Sequence, residues 1–513
     1  MKTSIARRLA DRKRRINKRL ARANRDKYQR CAADAGPVLD PPGAKYELAD
    51  KSRGIAYGGV GLMLKLAREV GLTEAIDRRL HLLKLHLPYH ESDHVLNLAL
   101  NALCDATCLQ DLELRRNDEV FLDAVGADSI PDPTTAGDFC RRFTESDLDD
   151  LRRAIDDARL NVWRRQPEEF FDEAVIDMDG TLVVTTGECK EGMDISYKGT
   201  WGYHPLLVTL SNTGEVLNLV NRSGNRPSEE GAAAEADRAI ALCRGAGFRQ
   251  IRLRGDTAFS QTQHLDGWDD AGVLFQFGYD ATPNLVEIAE NLPETVWQKL
   301  TRPRAYTRAG PRRRRPPKIK RQIIRRREFL HLELNSEQVA QFDYRPVACD
   351  RSYRMVVVRK NITQEKGEKR LLDEIRYFFY LTNDRPPPRR EIVFGCNDRC
   401  DQENLIAQLA GGVRTLAAPV DNLVSNGAYM LMTSLAWTLK AWSALLLPVE
   451  PRQREEHAQE RRDWLRMEFR TFINGVLRIP CQIVRQARQT IYRVLSWNPY
   501  LPAFFRLCRV LRC

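Results

Sequence analysis

Near Phe170 the hydrophobic period of this chain changes from that of a helix to that of a strand, which limits its architecture more than any other feature. Between about 55 and 165, apolar residues recur every three or four positions, as in GGVGLMLKLAREVGL, HESDHVLNLALNALCDATCLQDLELRR and TTAGDFCRRFTESDLDDLRRAIDDARL. That is the pattern of several short amphipathic helices, with Ser92 and Thr135 as capping residues. From 170 the period is two. FFDEAVIDMDGTLVVTT reads as a strand, and WGYHPLLVTLSN with GEVLNLVNRSG as a hairpin around Asn212-Thr213-Gly214. EEGAAAEADRAIALCRGAG is a helix ended by glycine, QIRLRGDTAF a strand, QTQHLDGWDDAG a short helix and VLFQFGY another strand. This order predicts an α/β fold built on an RNase H-like mixed sheet.

Charge narrows the function. The chain of 513 residues carries +12, but residues 1–30 hold 13 Lys/Arg against Asp11 and Asp26, and residues 302–327 hold 13 Lys/Arg and no acid. The rest is therefore net acidic. Basic segments concentrated in this way point to a polyanion, nucleic acid first, with a solvated tail and a basic loop as the plainer alternative. The first segment, with Ile5, Leu9, Ile16 and Leu20 at helical intervals, predicts a weakly amphipathic basic helix that orders on DNA. In both segments arginine and lysine are expected to grip phosphates: Arg12 and Arg15 in the arm, and Arg312, Arg313, Arg314, Arg315, Lys318, Lys320 and Arg321 in the second run.

Twelve cysteines in this length form no dense disulfide framework, and Cys104/Cys108 and Cys396/Cys400 have helical rather than zinc-knuckle spacing. All twelve read as reduced thiols of a cytoplasmic protein, and the N-terminus is basic without the apolar core of a secretory signal. The apolar stretch Ala428–Leu447 is interrupted by Lys440 and diluted by Ser, Thr and Trp, so it reads as a buried helix rather than a membrane span. His86, His90 and His94 recur every fourth residue, but Pro88 breaks the run, and solvent-facing or capping roles are expected. Tyr203 and His204 in WGYHP are expected to pack.

The chemistry is carried by VIDMDGTLVV. Period two puts Asp177 and Asp179 on one face of a strand, and Asp256 ends the fourth strand beside it. A third carboxylate must come from a helix packed across the sheet. Glu403 in NDRCDQENLIAQL is best placed, with Arg399 one turn earlier to hold a phosphate, and Glu391 is the weaker alternative. Hard carboxylate oxygens suit Mg²⁺, and two such ions about 3.5–4 Å apart serve in-line displacement at phosphorus. The 147 positions between Asp256 and Glu403 exceed what one helix and strand need. The excess contains the arginine run and β-like FLHLEL, YRMVVVRK and IRYFFYLTND, an inserted β-rich module.

These motifs, with YHESDHVLNLALNALC, IPDPTTAGDFCRRF, YKGTWGYHPLLV, RSGN and LRGDTAF in order over roughly 50–450, resemble the DDE transposases of bacterial insertion sequences. The resemblance is to the group numbered thirteen-eighty, related to family four. It implies Mg²⁺-dependent cleavage and strand transfer at transposon ends (Mn²⁺ able to substitute) by a homodimer on double-stranded DNA, in the bacterial cytoplasm with the nucleoid. It assigns the catalytic and metal-holding carboxylates to Asp179, Asp256 and Glu403, with Asp177 the close rival of Asp179. The related family's Tyr-x2-Arg-x3-Glu-x6-Lys signature becomes Cys396, Arg399, Glu403 and Ala410 here, so tyrosine and lysine are lost, and Arg414 is the nearest substitute for the lysine. A tryptophan of that family's insert stacks on a displaced base. Trp297 is the candidate here, a buried tryptophan being the other reading.

Two further readings compete. DMDGT satisfies the DxDGT signature of haloacid dehalogenase-type phosphatases, in which Asp177 would be the nucleophile and Asp179 the general acid. Against it, GDTAFSQ puts Ser260 and Gln261 where those enzymes have an acid, and a phosphatase has no use for two basic segments. A catalytically inactive, domesticated DNA-binding protein is the third. The expected organisation is a basic arm and linker (1–45), a helical DNA-binding or dimerisation domain (46–165) and a first core segment with Asp179 and Asp256 (166–290). An inserted β-rich basic module (291–380), core completion with the Glu403 helix (381–450) and a helical C-terminal region (451–513) follow.

Overall fold

In the computed structural model, residues 2–29, 46, 52–86, 88–302, 319–366, 369–486 and 489–513 are described. Arg312, Arg313, Arg314, Arg315 and Lys318 lie outside them. The chain forms two compact units: residues 167–182 with 194–406, and residues 1–166, 183–193 and 407–513.

The first unit is built on a nine-stranded sheet. Its strands are β1 (Glu173–Gly180), β2 (Leu206–Leu210), β3 (Glu215–Val220), β4 (Gln250–Gly255), β5 (Leu274–Tyr279), β6 (Gln298–Lys299), β7 (Leu330–Tyr344), β8 (Tyr353–Lys366) and β9 (Lys369–Thr382). They run in the order β6-β7-β8-β9-β5-β4-β1-β2-β3. In the half β3-β2-β1-β4-β5, strands β1, β4 and β5 are parallel and β2 is antiparallel to β1, the expected RNase H-like arrangement. The alternation seen in the sequence becomes depth: Ile176, Met178, Leu253, Phe275 and Phe277 are buried. Each such side chain stabilises by about 1.5–3 kcal/mol. Helix α1 (Ala232–Ala246) lies along β1 to β4. Small Ala236 and Ala239 on its buried face allow close approach, and Gly247 at φ +103° ends it.

The strands expected as an insert within the core join its sheet. The long strands β7, β8 and β9 continue the core sheet, because β9 pairs antiparallel with the free edge of β5, Phe379 opposite Tyr279. Val339, Val356 and Val358 of these strands then bury Ile392 and Val393 of helix α2 (Arg389–Asn397). The helix that follows, α3 (Cys400–Ala407), is thereby started from a fixed platform.

The second unit is organised by the helix Leu423–Leu445, buried almost along its length, with the helices Val60–Glu69, Glu91–Leu103, Pro133–Arg141, Glu145–Trp163 and Arg454–Arg466 against it. Lys440 in its middle is fully buried; its Nζ donates to Leu465 O at 2.7 Å and sits 3.9 Å from the Trp437 ring. Among the described residues no helix is long and apolar enough to cross a membrane. One expectation needs correction. The C-terminal region is not wholly helical: Cys481–Gln486 and Gln489–Val494 form a hairpin whose first strand pairs with Gly54–Ile55. The basic arm is the helix Lys2–Gln29, its Arg12 donating to Val494 O (3.1 Å) and Ser496 O (2.9 Å).

Candidate functional site

Register builds the site. β1 and β4 are parallel with Glu173 opposite Gln250 and Asp177 opposite Arg254. The same offset of 77 carries Asp179 to Asp256, just past the end of β4. The two aspartates of DMD, alike in the sequence, thus have different partners. Asp177 is 1% exposed and bidentate to Arg254 (Nε to Oδ1 2.6 Å, Nη2 to Oδ2 2.8 Å). Burial raises its pKa against the opposing pull of the guanidinium. Arg254 also donates to Ser211 Oγ at 2.8 Å and Gly395 O at 2.9 Å, tying β1, the β2–β3 turn, β4 and α2 together. Both Asp177 oxygens are thus engaged in the buried layer beneath the strand ends. Of the two aspartates, Asp179 is the more exposed.

Asp179 lies at the strand end, its side chain 15% exposed. Its Oδ1 accepts Gly180 N at 2.8 Å and its Oδ2 accepts Arg399 Nη1 at 3.0 Å. Burial pushes its pKa up to about 6; Arg399 opposes that rise, while the charges of Asp256 and Glu403 add to it. Both other candidate carboxylates therefore act on Asp179 electrostatically. Asp256 begins the turn after β4, its Oδ1 accepting Ala258 N at 3.0 Å. Glu403 rides on α3, which is fastened to the sheet by buried Gln402, whose Nε2 donates to Asp177 O at 3.1 Å. Glu403 is 61% exposed and stands 3.8 Å from Arg399 Nη2. Glu391, in the first turn of α2, is exposed.

Two glycines beside the aspartates have no room for a side chain. A Cβ on Gly180 would lie 2.8 Å from His204 Nε2, and one on Gly255 would lie 2.6 Å from Phe259 Cβ. His204 is buried, as expected of a packing residue, with Nδ1 2.8 Å from Arg226 O; Tyr203 is buried with it.

Among the described residues no three His, Cys, Asp or Glu side chains close into a metal-binding group. The donor chemistry nevertheless suits a hard divalent cation: all three candidates are carboxylates, and the charge of Asp179 is disfavoured by burial and by the charges of Asp256 and Glu403. The histidines fit no such site. His90 caps the helix Glu91–Leu103 and stacks on His86 at 5.0 Å, while buried His94 stacks on Phe139 at 4.3 Å.

The expected DNA-contacting residues divide. Arg399 is at the site. Arg15 is exposed on the N-terminal helix, whereas Arg12 is spent on the backbone bonds above. Lys320 is exposed at the start of the helix Lys320–Arg326; the Arg321 side chain lies outside the described residues. Trp297 is 8% exposed, under the Arg359 guanidinium at 4.3 Å and near Tyr377. As placed it is a packed tryptophan and presents no face to a base.

Sequence reasoning missed Arg254 and Gln402. Arg254 had a signal, since it precedes Asp256 by two as Asp177 precedes Asp179. Gln402 had none. The phosphatase reading fails on this geometry, because Asp177, its required nucleophile, is locked to a buried arginine and β2 and β3 run antiparallel in the sheet.

No curated protein matches the chain. Among solved structures, a piggyBac transposase synaptic complex with hairpin DNA, determined by cryo-electron microscopy, is similar over 85% of this chain and 87% of that one, at 11% identity and a TM-score of 0.36. A family model, described as transposase DDE domain group 1, matches residues 54–513. That match spans both units and all three carboxylates, and the chain belongs to this family of DDE transposases.

Proposed function

We propose that the chain cuts and joins DNA at the terminal repeats of an insertion sequence, with Asp179, Asp256 and Glu403 holding two divalent ions, Mg²⁺ in the cell and Mn²⁺ as a substitute. The single observation that supports this reading is the parallel register of β1 and β4, whose offset of 77, carried past the last paired residues, brings Asp256 level with Asp179, with the charge of Glu403 acting on the same carboxyl. Divalent ions bound there supply activation of the attacking oxygen and stabilisation of the leaving oxygen in an in-line displacement. The attacking group is water in cleavage and the freed 3′-OH in joining. Arg254 and Asp177 fix the spacing of the strand ends beneath, and Arg399 is placed to hold a phosphate oxygen by charge-assisted hydrogen bonds.

Arg15, the rest of the exposed basic helix face and the arginine-rich segment 302–327 bind phosphates without reading sequence. Each phosphate neutralised adds about −0.9 to the slope of log K against log salt. Two copies on DNA would handle the two ends. The test is nicking of a plasmid carrying the element's ends. Wild type should nick in Mg²⁺, and Asp256→Asn should bind the same DNA and leave it intact. A wild type that binds the ends and never nicks would favour the domesticated, inactive reading, and undiminished nicking by Asp256→Asn would remove this site.

A further inference from the structure

Arg399 sits where a cation belongs. One of its terminal nitrogens is 3.0 Å from Asp179 Oδ2 and the other 3.8 Å from Glu403 Oε1. These two carboxylates are the ion-pair partners of its guanidinium. Its place in the chain makes this a choice rather than a necessity. Arg399 lies in the turn between α2 and α3, where its backbone carbonyl accepts Gln402 N at 2.8 Å, while the Gln402 side chain and the packed face of α2 fix the platform without its guanidinium. A long side chain on a fixed turn can swing without moving the helices it joins. The two contacts also differ in strength. The one to Asp179 is short and four-fifths buried, whereas the one to Glu403 is long and reaches a side chain 61% exposed, the kind of pair that water and salt weaken.

We propose that Arg399 is a stand-in cation: it neutralises Asp179 and tethers Glu403 until divalent ions enter, and its guanidinium is then released to the DNA phosphate. This rests on the reading of Asp179, Asp256 and Glu403 as the metal-holding set. The reason is electrostatic. The charges of Asp256, past the end of β4, and of Glu403, on α3, both oppose that of Asp179, which is largely buried; a single positive charge between Asp179 and Glu403 lowers that cost. The same charge repels an arriving divalent ion, so the arginine sets how tightly these carboxylates take metal. Linkage makes the effect mutual: whatever draws Arg399 away, a phosphate included, strengthens metal binding by the same factor.

The experiment uses the full chain without DNA and titrates Mn²⁺ alone, followed by loss of the free-ion signal in electron paramagnetic resonance. Arg399→Gln should bind Mn²⁺ about tenfold more tightly than wild type, since one charge in direct contact with the donors is gone. Arg399→Lys keeps a charge but cannot bridge both carboxylates, so its affinity should rise by a smaller factor, about threefold. This second variant also serves if Arg399→Gln fails to fold. Asp179→Asn is the reference. If Asp179→Asn abolishes Mn²⁺ binding while both arginine variants bind as wild type or more weakly, the stand-in role is overturned and the metal site stands. If Asp179→Asn leaves binding unchanged, the reading of the site itself falls, and the inference with it.

Discussion

Replacing Asp177 by asparagine separates the two aspartates of DMD by thermodynamics rather than by activity. Asp177 is 1% exposed and its partner side chain Arg254 is 8% exposed. Arg254 gives four hydrogen bonds: two to Asp177, one to Ser211 and one to Gly395. The asparagine keeps the shape but removes the charge, and its NH₂ faces a donor. Breaking one side of a buried pair leaves an uncompensated charge, a loss of about 3–5 kcal/mol. The surviving bonds to Ser211 and Gly395 offset part of that, so about 3 kcal/mol is expected. At roughly 2–4 °C per kcal/mol for a unit of this size, the melting temperature of the sheet unit should fall by roughly 6–12 °C.

The assay is calorimetry of wild type, Asp177→Asn, Arg254→Met and the double variant. The double variant should lose less than the sum of the singles, because removing both partners removes the unpaired charge. Mg²⁺-dependent nicking by Asp177→Asn, measured well below its melting point, should survive. A variant that melts like wild type and yet cannot cleave would refute the assignment, since Asp177 would then be a ligand and not a strut.

Asp179 should give a pH signature of its own. Its folded pKa of about 6 lies above the unfolded carboxylate value. The folded state therefore binds this proton more tightly, a stabilisation fully present below pH about 4 and lost as pH rises through 6. In metal-free buffer Asp179→Asn should flatten that part of the stability curve and equal or exceed wild-type stability at pH 7; a variant less stable than wild type at pH 7 would contradict the burial argument. Gly180→Ala should impair the site and the fold together, because its Cβ meets His204 Nε2 at 2.8 Å. Pairing it with His204→Ala should recover part of the lost melting temperature, and no recovery would mean the contact is not the cause.

The core was legible wherever the physical signal is local. Alternation in EAVIDMDG and in LRG before Asp256 gave the strands, and Gly247 at φ +103° marked the end of α1. The strands of residues 330–382 were also visible as apolar runs, but their membership of the core sheet was not. Pairing of Phe379 with Tyr279 is a contact across 100 positions, and nothing in either stretch specifies it. The hairpin at Cys481–Val494 was missed for a different reason: its arms carry Arg485 and Arg493, and no Asn-Gly or Asp-Gly marks its turn.

Within the site, types and spacing identified the acids, since period two fixes faces. Depth along a strand has no such period, so Asp177 and Asp179 could not be told apart until a partner was found for one. That partner was written two residues before Asp256. In parallel strands whose ends line up, an Asp-x-Asp facing an Arg-x-Asp has one consistent arrangement. The inner aspartate pairs with the arginine, and the two outer acids are left together with no cation of their own. The Arg399 guanidinium answers that shortage for one of them in this structure.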